Sequence, residues 1–271
     1  MRLIILGSGT SNGVPAIGCG CPVCRSTDYR DRRMRASLYI MGDGGERLVI
    51  DTGPEFRLQA LRANITRLDA VFLTHPHADH LHGLDDIRSL TWERPIPVYG
   101  NHCTIEELKE RFSYIFKQTQ PGGGKPRILP EATAGDLHIG RLTITPIPVK
   151  HGVLDILGWK LTEQGTPGAA VYLTDASALP APSRSLISRP EILIIGALRA
   201  EPHPTHFSFD EALETAAEIQ ARRVYVTHLA HNNSHTAIEE YCVNFQEKRR
   251  LTGVFMGPAY DGLELELTPS S

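Results

Sequence analysis

Short apolar runs rich in Val, Ile and Leu recur along the chain and are separated by Gly, Pro and Asp. Several runs are nearly continuous rather than alternating, which is typical of strands covered on both faces. The clearest lie at residues 3–6, 48–50, 70–73, 142–149, 170–173, 192–195 and 224–226. Segments 39–41 and 47–50 flank Gly42-Asp43-Gly44-Gly45, which predicts a β-hairpin.

Helical patterns lie between these runs, and we predict helices over residues 54–64, 104–117, 208–222 and 235–248. Two of them open with the spacing of a capping box, Thr104 with Glu107 and Ser208 with Glu211. Early hairpins followed by alternating strands and helices indicate two mixed sheets packed together, with helices outside. Because no repeat or low-complexity linker divides the sequence, we expect one domain over residues 1–271.

The composition is that of an ordinary globular protein. Of the 271 residues, 41% are hydrophobic and 22% are charged, and the formal net charge is -3. This balance excludes collagen-like and disordered classes and argues against a non-specific nucleic-acid coat protein. Neither a signal peptide nor an apolar run of about eighteen residues is evident, so we expect a cytoplasmic protein without a membrane span.

A glycine-rich stretch at residues 121–126 reads Pro-Gly-Gly-Gly-Lys-Pro. It does not fit a phosphate-binding P-loop, because Thr119 and Pro126 stand where that motif needs Gly and Ser or Thr. We interpret the stretch as a surface loop.

The densest chemical signal is Thr74-His75-Pro76-His77-Ala78-Asp79-His80, directly after an apolar run. Three of the 12 histidines in the chain and one Asp fall within six positions at the carboxyl end of a predicted strand. Imidazole suits zinc, iron and similar metals, and carboxylate suits harder ions. The spacing lets His75 and His77 face one ion while Asp79 and His80 turn toward a neighbouring ion.

This His-x-His-x-Asp-His segment resembles the signature of the metallo-β-lactamase-fold hydrolases. The resemblance implies an αββα sandwich, which agrees with the order of strands and helices. It also implies three further ligands, each at the end of a strand. The chain has His151 after Ile147-Pro148-Val149-Lys150, Asp175 after Val171-Tyr172-Leu173-Thr174, and His228 after Val224-Tyr225-Val226-Thr227.

By the same resemblance, His75, His77 and His151 hold one divalent cation, zinc or manganese. Asp79, His80 and His228 hold a second cation, and Asp175 is shared between the two. Asp51, in a turn that also matches the family, is expected to support this dinuclear site from behind. His82, Asp85 and Asp86 lie just beyond the motif and are expected to be structural.

A second cluster consists of Cys19, Cys21 and Cys24, three of the five cysteines in the chain. In a chain without an export signal, such clustered thiols favour a metal over disulfides, and a zinc there needs a fourth ligand. The candidate is His231, three residues after His228. The pattern resembles the accessory phosphodiesterases of the carbon–phosphorus lyase pathway (the PhnP group), which implies a structural zinc in a loop at residues 18–26 inserted after the first strand. Cys103 and Cys242 are expected in helices without a metal role.

The same group resemblance extends to Gly7-Ser8-Gly9-Thr10-Ser11-Asn12-Gly13-Val14-Pro15, residues 95–100 and residues 227–231. Two neighbouring divalent ions suit displacement at phosphorus, and Asp79 and His206 are the residues we expect to be catalytic. His206 corresponds by order to the catalytic His of the group, and we expect it to protonate the leaving alkoxide. His203 is the rival, disfavoured by its flanking prolines and earlier position.

The sequence therefore predicts a metal-dependent phosphodiesterase acting on a small phosphate diester, cyclic diesters included. An acyl hydrolase for thioesters or lactones is the alternative on the same dinuclear site, and a non-hydrolytic quinone-biosynthesis relative is a third class. Nucleic acid larger than a nucleotide is not expected as a partner, because residues 106–127 lack the concentrated basic charge of a tRNA-binding arm. The family resemblance suggests a homodimer.

Overall fold

The computed structural model describes residues 1–118 and 124–267. Seven strands form the first sheet: β1 (Arg2–Gly7), β2 (Ser37–Met41), β3 (Arg47–Ile50), β4 (Ala70–Phe72), β5 (Ile96–Gly100), β6 (Ile128–Ala132) and β14 (Glu264–Glu266). Their order is β14-β1-β2-β3-β4-β5-β6. The pairs from β14 to β3 are antiparallel and those from β3 to β6 are parallel.

Seven further strands form the second sheet: β7 (Leu137–Ile139), β8 (Leu142–His151), β9 (Leu154–Glu163), β10 (Thr166–Leu173), β11 (Ile192–Gly196), β12 (Arg223–Thr227) and β13 (Phe255–Pro258). Their order is β13-β12-β11-β10-β9-β8-β7. The pairs from β13 to β10 are parallel and those from β10 to β7 are antiparallel. Both sheets are therefore mixed, as predicted.

Helices cover the outer faces of the two sheets. The α-helices are α1 (Phe56–Arg62), α2 (Ala78–Leu81), α3 (His102–Arg111), α4 (Ser113–Phe116), α5 (Ala181–Leu186), α6 (Phe209–Glu218) and α7 (His235–Arg249). Two 3-10 helices span Tyr29–Asp31 and Leu84–Thr91. No helix in these described ranges is long and apolar enough to cross a membrane.

Three apolar clusters hold the layers together. The central cluster lies between the sheets and includes Trp159, whose ring centroid is 5.0 Å from that of Phe72. A second cluster joins the first sheet to α1, α2, α3 and α4, and a third joins the second sheet to α6 and α7. Two sheets inside and helices outside form the predicted αββα sandwich, and burial of these apolar faces is its main source of stability.

The predicted strands all form, but one helix differs from its prediction. The segment 104–117 is two helices, α3 and α4, broken at Phe112. The N-cap of α3 is Asn101, whose side chain accepts a hydrogen bond from the Thr104 amide at 2.8 Å. The capping box predicted at Thr104 is therefore wrong, because an Asn directly after β5 starts the helix earlier.

Helices α1 and α6 lie inside their predicted segments, α7 extends one residue beyond its segment, and α2 and α5 were not predicted. Ser208 and Glu211 form the predicted capping box: the Ser208 amide donates to the Glu211 carboxylate at 2.8 Å, and the Glu211 amide donates to the Ser208 hydroxyl at 3.4 Å. Of the predicted glycine-rich loop, residues 121–123 lie outside the described residues.

Candidate metal centre

The polar residues singled out by the sequence converge at one edge of the sandwich, where strands end. His75 and His77 follow β4, and Asp79 and His80 lie in α2. The others are His151 at the end of β8, Asp175 after β10, His206 before α6 and His228 after β12. The buried strands of the two sheets thus fix the positions at which these side chains leave the core.

Three residues at strand ends have a left-handed backbone. The φ angles are 62° for Asp51, 54° for Asp175 and 58° for His228. This region is unfavourable for most residues other than glycine, although Asp and His adopt it more readily than most. Left-handed residues recur at functional sites where the surrounding structure enforces them. The sharp turns after β3, β10 and β12 therefore aim these three side chains into the site.

The potential ligand atoms group as the resemblance implies. Within each of four groups they lie within 4.8 Å of one another: His75, His77 and His151; His75, His80 and Asp175; Asp79, His80 and His228; and His151, Asp175 and His206. The first and third groups match the two predicted sets, and Asp175 occurs in both of the groups that link them. The four groups together contain the seven ligand residues predicted by the resemblance, and also His206. We name the seven residues the dinuclear centre, after the two ions that the resemblance implies.

Asp51 supports the centre from behind, as expected. His80 Nδ1 donates to Asp51 Oδ2 at 2.7 Å, and the Thr74 amide and hydroxyl donate to the same carboxylate at 2.8 Å each. Because Nδ1 of His80 carries the proton, its Nε2 offers a lone pair toward the centre. Carboxylate-backed imidazoles of this kind are common among metal ligands.

A carbonyl orients His151 in the same manner. His151 Nδ1 donates to the Thr205 carbonyl at 2.7 Å, which leaves Nε2 free on the side of the centre. Sequence reasoning missed both Thr74 and Thr205 as supporting residues. Thr74 stands directly beside the ligand motif, and this position could have indicated its supporting role. The contact between Thr205 and His151 joins residues 54 positions apart, and nothing in the sequence indicates it.

The donor set of the centre fits a metal. His80 Nε2 and both ring nitrogens of His228 are buried without a hydrogen-bond partner in the described part of the chain. His80 Nε2 lies 3.1 Å from Asp79 Oδ2 and 3.2 Å from Asp175 Oδ2, and His228 Nε2 lies 3.2 Å from Asp175 Oδ1. Ring nitrogens and carboxylate oxygens crowd together at these distances, and a cation coordinated by both satisfies them.

The electrostatics also favour a cation. Burial alone would raise the pKa of Asp79 and Asp175, but neighbouring histidines outweigh it and lower the pKa of both carboxyls. Burial lowers the pKa of His75, so that its imidazole is neutral. Burial also acts to lower the pKa of His80, but the carboxylates of Asp175, Asp79 and Asp51 outweigh it and raise the pKa. Buried ionised carboxylates with one neutral imidazole leave negative charge for a cation to compensate.

His206 is a partly exposed imidazole beside the centre. Its ring centroid is 4.7 Å from that of His151 and 5.0 Å from that of His228, and its Nδ1 is 3.5 Å from Asp175 Oδ1. Burial lowers the pKa of His206 to about 3, against the opposing effect of Asp175. The ring centroid of His203, the other candidate for the general acid, lies 5.2 Å from that of His206. His203 belongs to none of the four groups.

The predicted cysteine cluster also assembles. The Sγ atoms of Cys19, Cys21 and Cys24 lie 3.3, 3.4 and 3.5 Å from Nδ1 of His231. The Cys24 amide and then His231 lower the pKa of Cys21 to about 6, while burial raises the pKa of Cys24 to about 11. Three sulfurs and one imidazole nitrogen are the donor set of a closed tetrahedral zinc site.

Other residues singled out in the sequence make different contacts. The His82 ring packs edge-on to Phe112 at 6.2 Å, and Asp85 accepts a hydrogen bond from the Tyr114 hydroxyl. Cys103 lies in α3 and Cys242 in α7, and within the described ranges neither joins a potential metal-binding group.

The fold and the dinuclear centre together define a class. The sequence matches the profile of the beta-lactamase superfamily domain over residues 46–229. The chain therefore belongs to the metallo-β-lactamase superfamily. A solved structure described as a new diphosphatase from the PhnP family is 37% identical in sequence, with a TM-score of 0.83. The match covers 99% of this chain and 98% of that chain. The resemblance to the PhnP group is thereby confirmed.

Two other comparisons extend the picture. An octanoyltransferase of Porphyromonas gingivalis is 38% identical over 267 residues, which are 97% of this chain and 51% of that protein. A coenzyme PQQ synthesis protein B of Methylobacterium nodulans is 35% identical over 121 residues, 40% of each chain. The chain thus spans about half or less of the length of these curated relatives.

Proposed function

We propose that this protein is a metal-dependent hydrolase that cleaves a phosphodiester or diphosphate bond in a small molecule. The observation that carries the proposal is the convergence of the dinuclear centre with a further imidazole, His206, beside it. The similarity to a PhnP-family diphosphatase supports phosphorus as the reacting atom.

In this proposal His75, His77 and His151 hold one divalent cation, Asp79, His80 and His228 hold the other, and Asp175 is shared. Bound divalent cations supply Lewis acidity to a phosphoryl oxygen and lower the pKa of water. Asp51 and the Thr205 carbonyl keep the proton on Nδ1 of His80 and of His151. Cys19, Cys21, Cys24 and His231 hold a structural zinc in the same proposal.

His206 delivers a proton to the departing oxygen. Its ring faces the centre without being tied to a backbone carbonyl in the described ranges, in contrast to His151. An anionic phosphate beside the ring raises its pKa, as the carboxylate of Asp175 does in part. Bound substrate therefore increases the protonated fraction that a general acid requires.

The test uses the metal-loaded protein with bis(p-nitrophenyl) phosphate, a 2',3'-cyclic nucleotide and a thioester, with manganese or zinc added. We expect turnover of the phosphate esters and its loss in Asp79→Ala. His206→Gln should lower kcat for the cyclic nucleotide by about 10²-fold or more. The loss should be smaller for bis(p-nitrophenyl) phosphate, because p-nitrophenolate leaves without a proton.

His82→Gln is the matched control, because His82 is a neighbouring histidine outside the centre. Equal losses on both phosphate substrates in His206→Gln would argue against proton donation. Turnover of the thioester alone would overturn the assignment to phosphorus.

Hydrolysis of an acyl thioester is the second candidate. It is favoured by one specific observation, the 38% identity to a protein named octanoyltransferase. The similarity covers only 51% of that protein, so the name can belong to the part that this chain does not match. The thioester in the assay above decides between the two candidates.

A further inference from the structure

One segment that resembles the PhnP group has no role in the site described so far, namely residues 8–14 after β1. The Gly13 amide donates to the Thr10 carbonyl at 2.8 Å and closes a four-residue turn, in which Gly13 has φ +63°. Ser11 and Asn12 form its exposed tip. We call residues 10–13 the N-terminal turn.

The N-terminal turn lies beside the dinuclear centre. The Thr10 amide donates to the Leu229 carbonyl at 3.2 Å, and the Leu229 amide donates to the Ser8 carbonyl at 2.9 Å. Leu229 directly follows His228, so the turn is bonded to the backbone that carries a predicted ligand.

Arg35 connects the turn to the other side of the centre. A Cβ built on Gly53 would lie 2.2 Å from the Asp79 carbonyl oxygen and 3.1 Å from Arg35 Cβ. Arg35 is therefore packed behind the segment that carries Asp79. The N-terminal turn is thus linked to the backbone segments that carry Asp79 and His228.

Hydrogen bonds hold the turn in place and occupy two of its carbonyls. Arg35 Nε donates to the Ser11 carbonyl at 3.0 Å, and the Arg35 guanidinium also pairs with the Glu55 carboxylate. The Thr10 carbonyl is taken by the Gly13 amide. Two carbonyls of the turn are therefore already bonded to donors within the protein.

The donors of the turn are left free. The amides of Ser11 and Asn12 make no hydrogen bond to any residue within 1–118 or 124–267. A fixed turn with two free, successive N–H groups attracts an anion, as backbone nests do. Fixed donors of this kind need little reorganisation when a charged oxygen arrives.

We propose that the N-terminal turn is a phosphate-recognition element, in which the Ser11 and Asn12 amides bind non-reacting oxygens of the substrate on the Asp79–His228 side of the centre. Arg35 is a positioning residue that fixes the turn through the Ser11 carbonyl. The inference rests on the proposed function only in taking the substrate to be a phosphate.

The sharpest test removes a single N–H. Proline is favoured at the second position of such a turn and lacks an amide hydrogen, so Ser11→Pro deletes the donor and keeps the turn. Ser11→Ala keeps the donor and deletes only the hydroxyl. We expect Ser11→Pro to raise KM for the cyclic nucleotide, and Ki for inorganic phosphate, by roughly ten-fold, and Ser11→Ala to change both less than about two-fold.

Arg35→Met tests the positioning role independently and keeps the proposal testable if Ser11→Pro does not fold. KM and Ki should rise together, while the metal content and the melting temperature show that the fold and the centre persist. Arg57→Met, which removes an exposed arginine of α1, is the control. Unchanged KM and Ki in both Ser11→Pro and Arg35→Met would overturn the proposal.

Titration calorimetry with inorganic phosphate separates this inference from the proposed function. If no phosphate ester is turned over but Ser11→Pro still weakens phosphate binding, the proposed function fails and the recognition element stands. If the esters are turned over but Ser11→Pro and Ser11→Ala behave alike, the function stands and the recognition element fails.

Discussion

Three residues at strand ends adopt an unfavourable backbone conformation that positions the centre. Asp51, Asp175 and His228 all have positive φ, and each is almost completely buried. A non-glycine residue in this region costs of order 1–3 kcal/mol, which the surrounding sandwich has to offset. The same three turns direct one supporting carboxylate and two potential ligands to one point, so the strained conformation serves the site.

Asp51 gives the first prediction at this scale. Asp51→Asn removes the charge that accepts hydrogen bonds from His80 Nδ1 and Thr74 while keeping the side-chain volume. Loss of such a supporting partner lowers metal affinity by about 10- to 100-fold. Metal titration of the stripped protein measures the effect, and Asp69→Asn, which removes a carboxylate bonded to Arg47 and Arg94, is the control. Equal metal affinity in wild type and Asp51→Asn would contradict the supporting role.

Gly53 gives the second prediction. A Cβ at this position would lie 2.2 Å from the Asp79 carbonyl oxygen, so Gly53→Ala has to displace the backbone that carries Asp79. Overpacking of this kind typically costs about 1–3 kcal/mol in the free energy of unfolding. Urea unfolding measures the cost. Gly135→Ala, where a Cβ meets open space, should stay within about 0.5 kcal/mol of wild type. Similar unfolding curves for the two variants would show that the close approach at Gly53 is unimportant.

At the scale of elements, the sequence predicted the N-cap of α6 correctly but not that of α3. Ser208 and Glu211 form the predicted capping box, with both of its reciprocal hydrogen bonds present. At α3, Asn101 stands three residues before Thr104 and caps the helix instead. Thr104 is buried inside the helix, and its hydroxyl has no hydrogen-bond partner in the described residues.

The two possible caps of α3 give opposite predictions for a pair of variants. Asn101→Ala removes the acceptor for the Thr104 amide and should lower the free energy of unfolding by about 1 kcal/mol. Thr104→Val replaces an unpartnered buried hydroxyl by a methyl group of similar shape, so we expect it to be neutral or slightly stabilising. Thermal or denaturant unfolding of both variants checks the assignment. A larger loss in Thr104→Val than in Asn101→Ala would restore the capping box predicted from sequence.

At the scale of the whole molecule, the sequence predicts what is local or repeated. Continuous apolar runs predicted the buried strands, and the cluster at residues 75–80 marked the site, while the family resemblance supplied His151, Asp175 and His228. Long-range polar contacts left no such pattern. Asp261 accepts hydrogen bonds from the Ser8 amide and hydroxyl and from the Met34 amide, more than 220 residues away. Contacts like this one place the N-terminal turn, and only the packed structure reveals them.

The metal content of the whole chain gives a prediction at this scale. If the dinuclear centre and the cysteine cluster are both occupied, the purified protein holds three ions per chain, and Cys21→Ser holds two. Cys103→Ser, which alters an exposed thiol of α3, should keep all three. Elemental analysis against protein concentration measures these numbers directly. Two ions in both wild type and Cys21→Ser would argue against zinc at the cysteine cluster.

Removal of the ions should also destabilise the fold, because a ligand that binds only the native state adds about 2.7 kcal/mol at a hundred times its dissociation constant. For a chain of this size we expect chelation to lower the melting temperature by roughly 5–10 °C. In the stripped protein His80 and His228 again face Asp79 and Asp175 without a compensating cation. Recovery of the melting temperature on adding zinc or manganese would place the effect at the ions, whereas a melting temperature indifferent to chelation would contradict their binding.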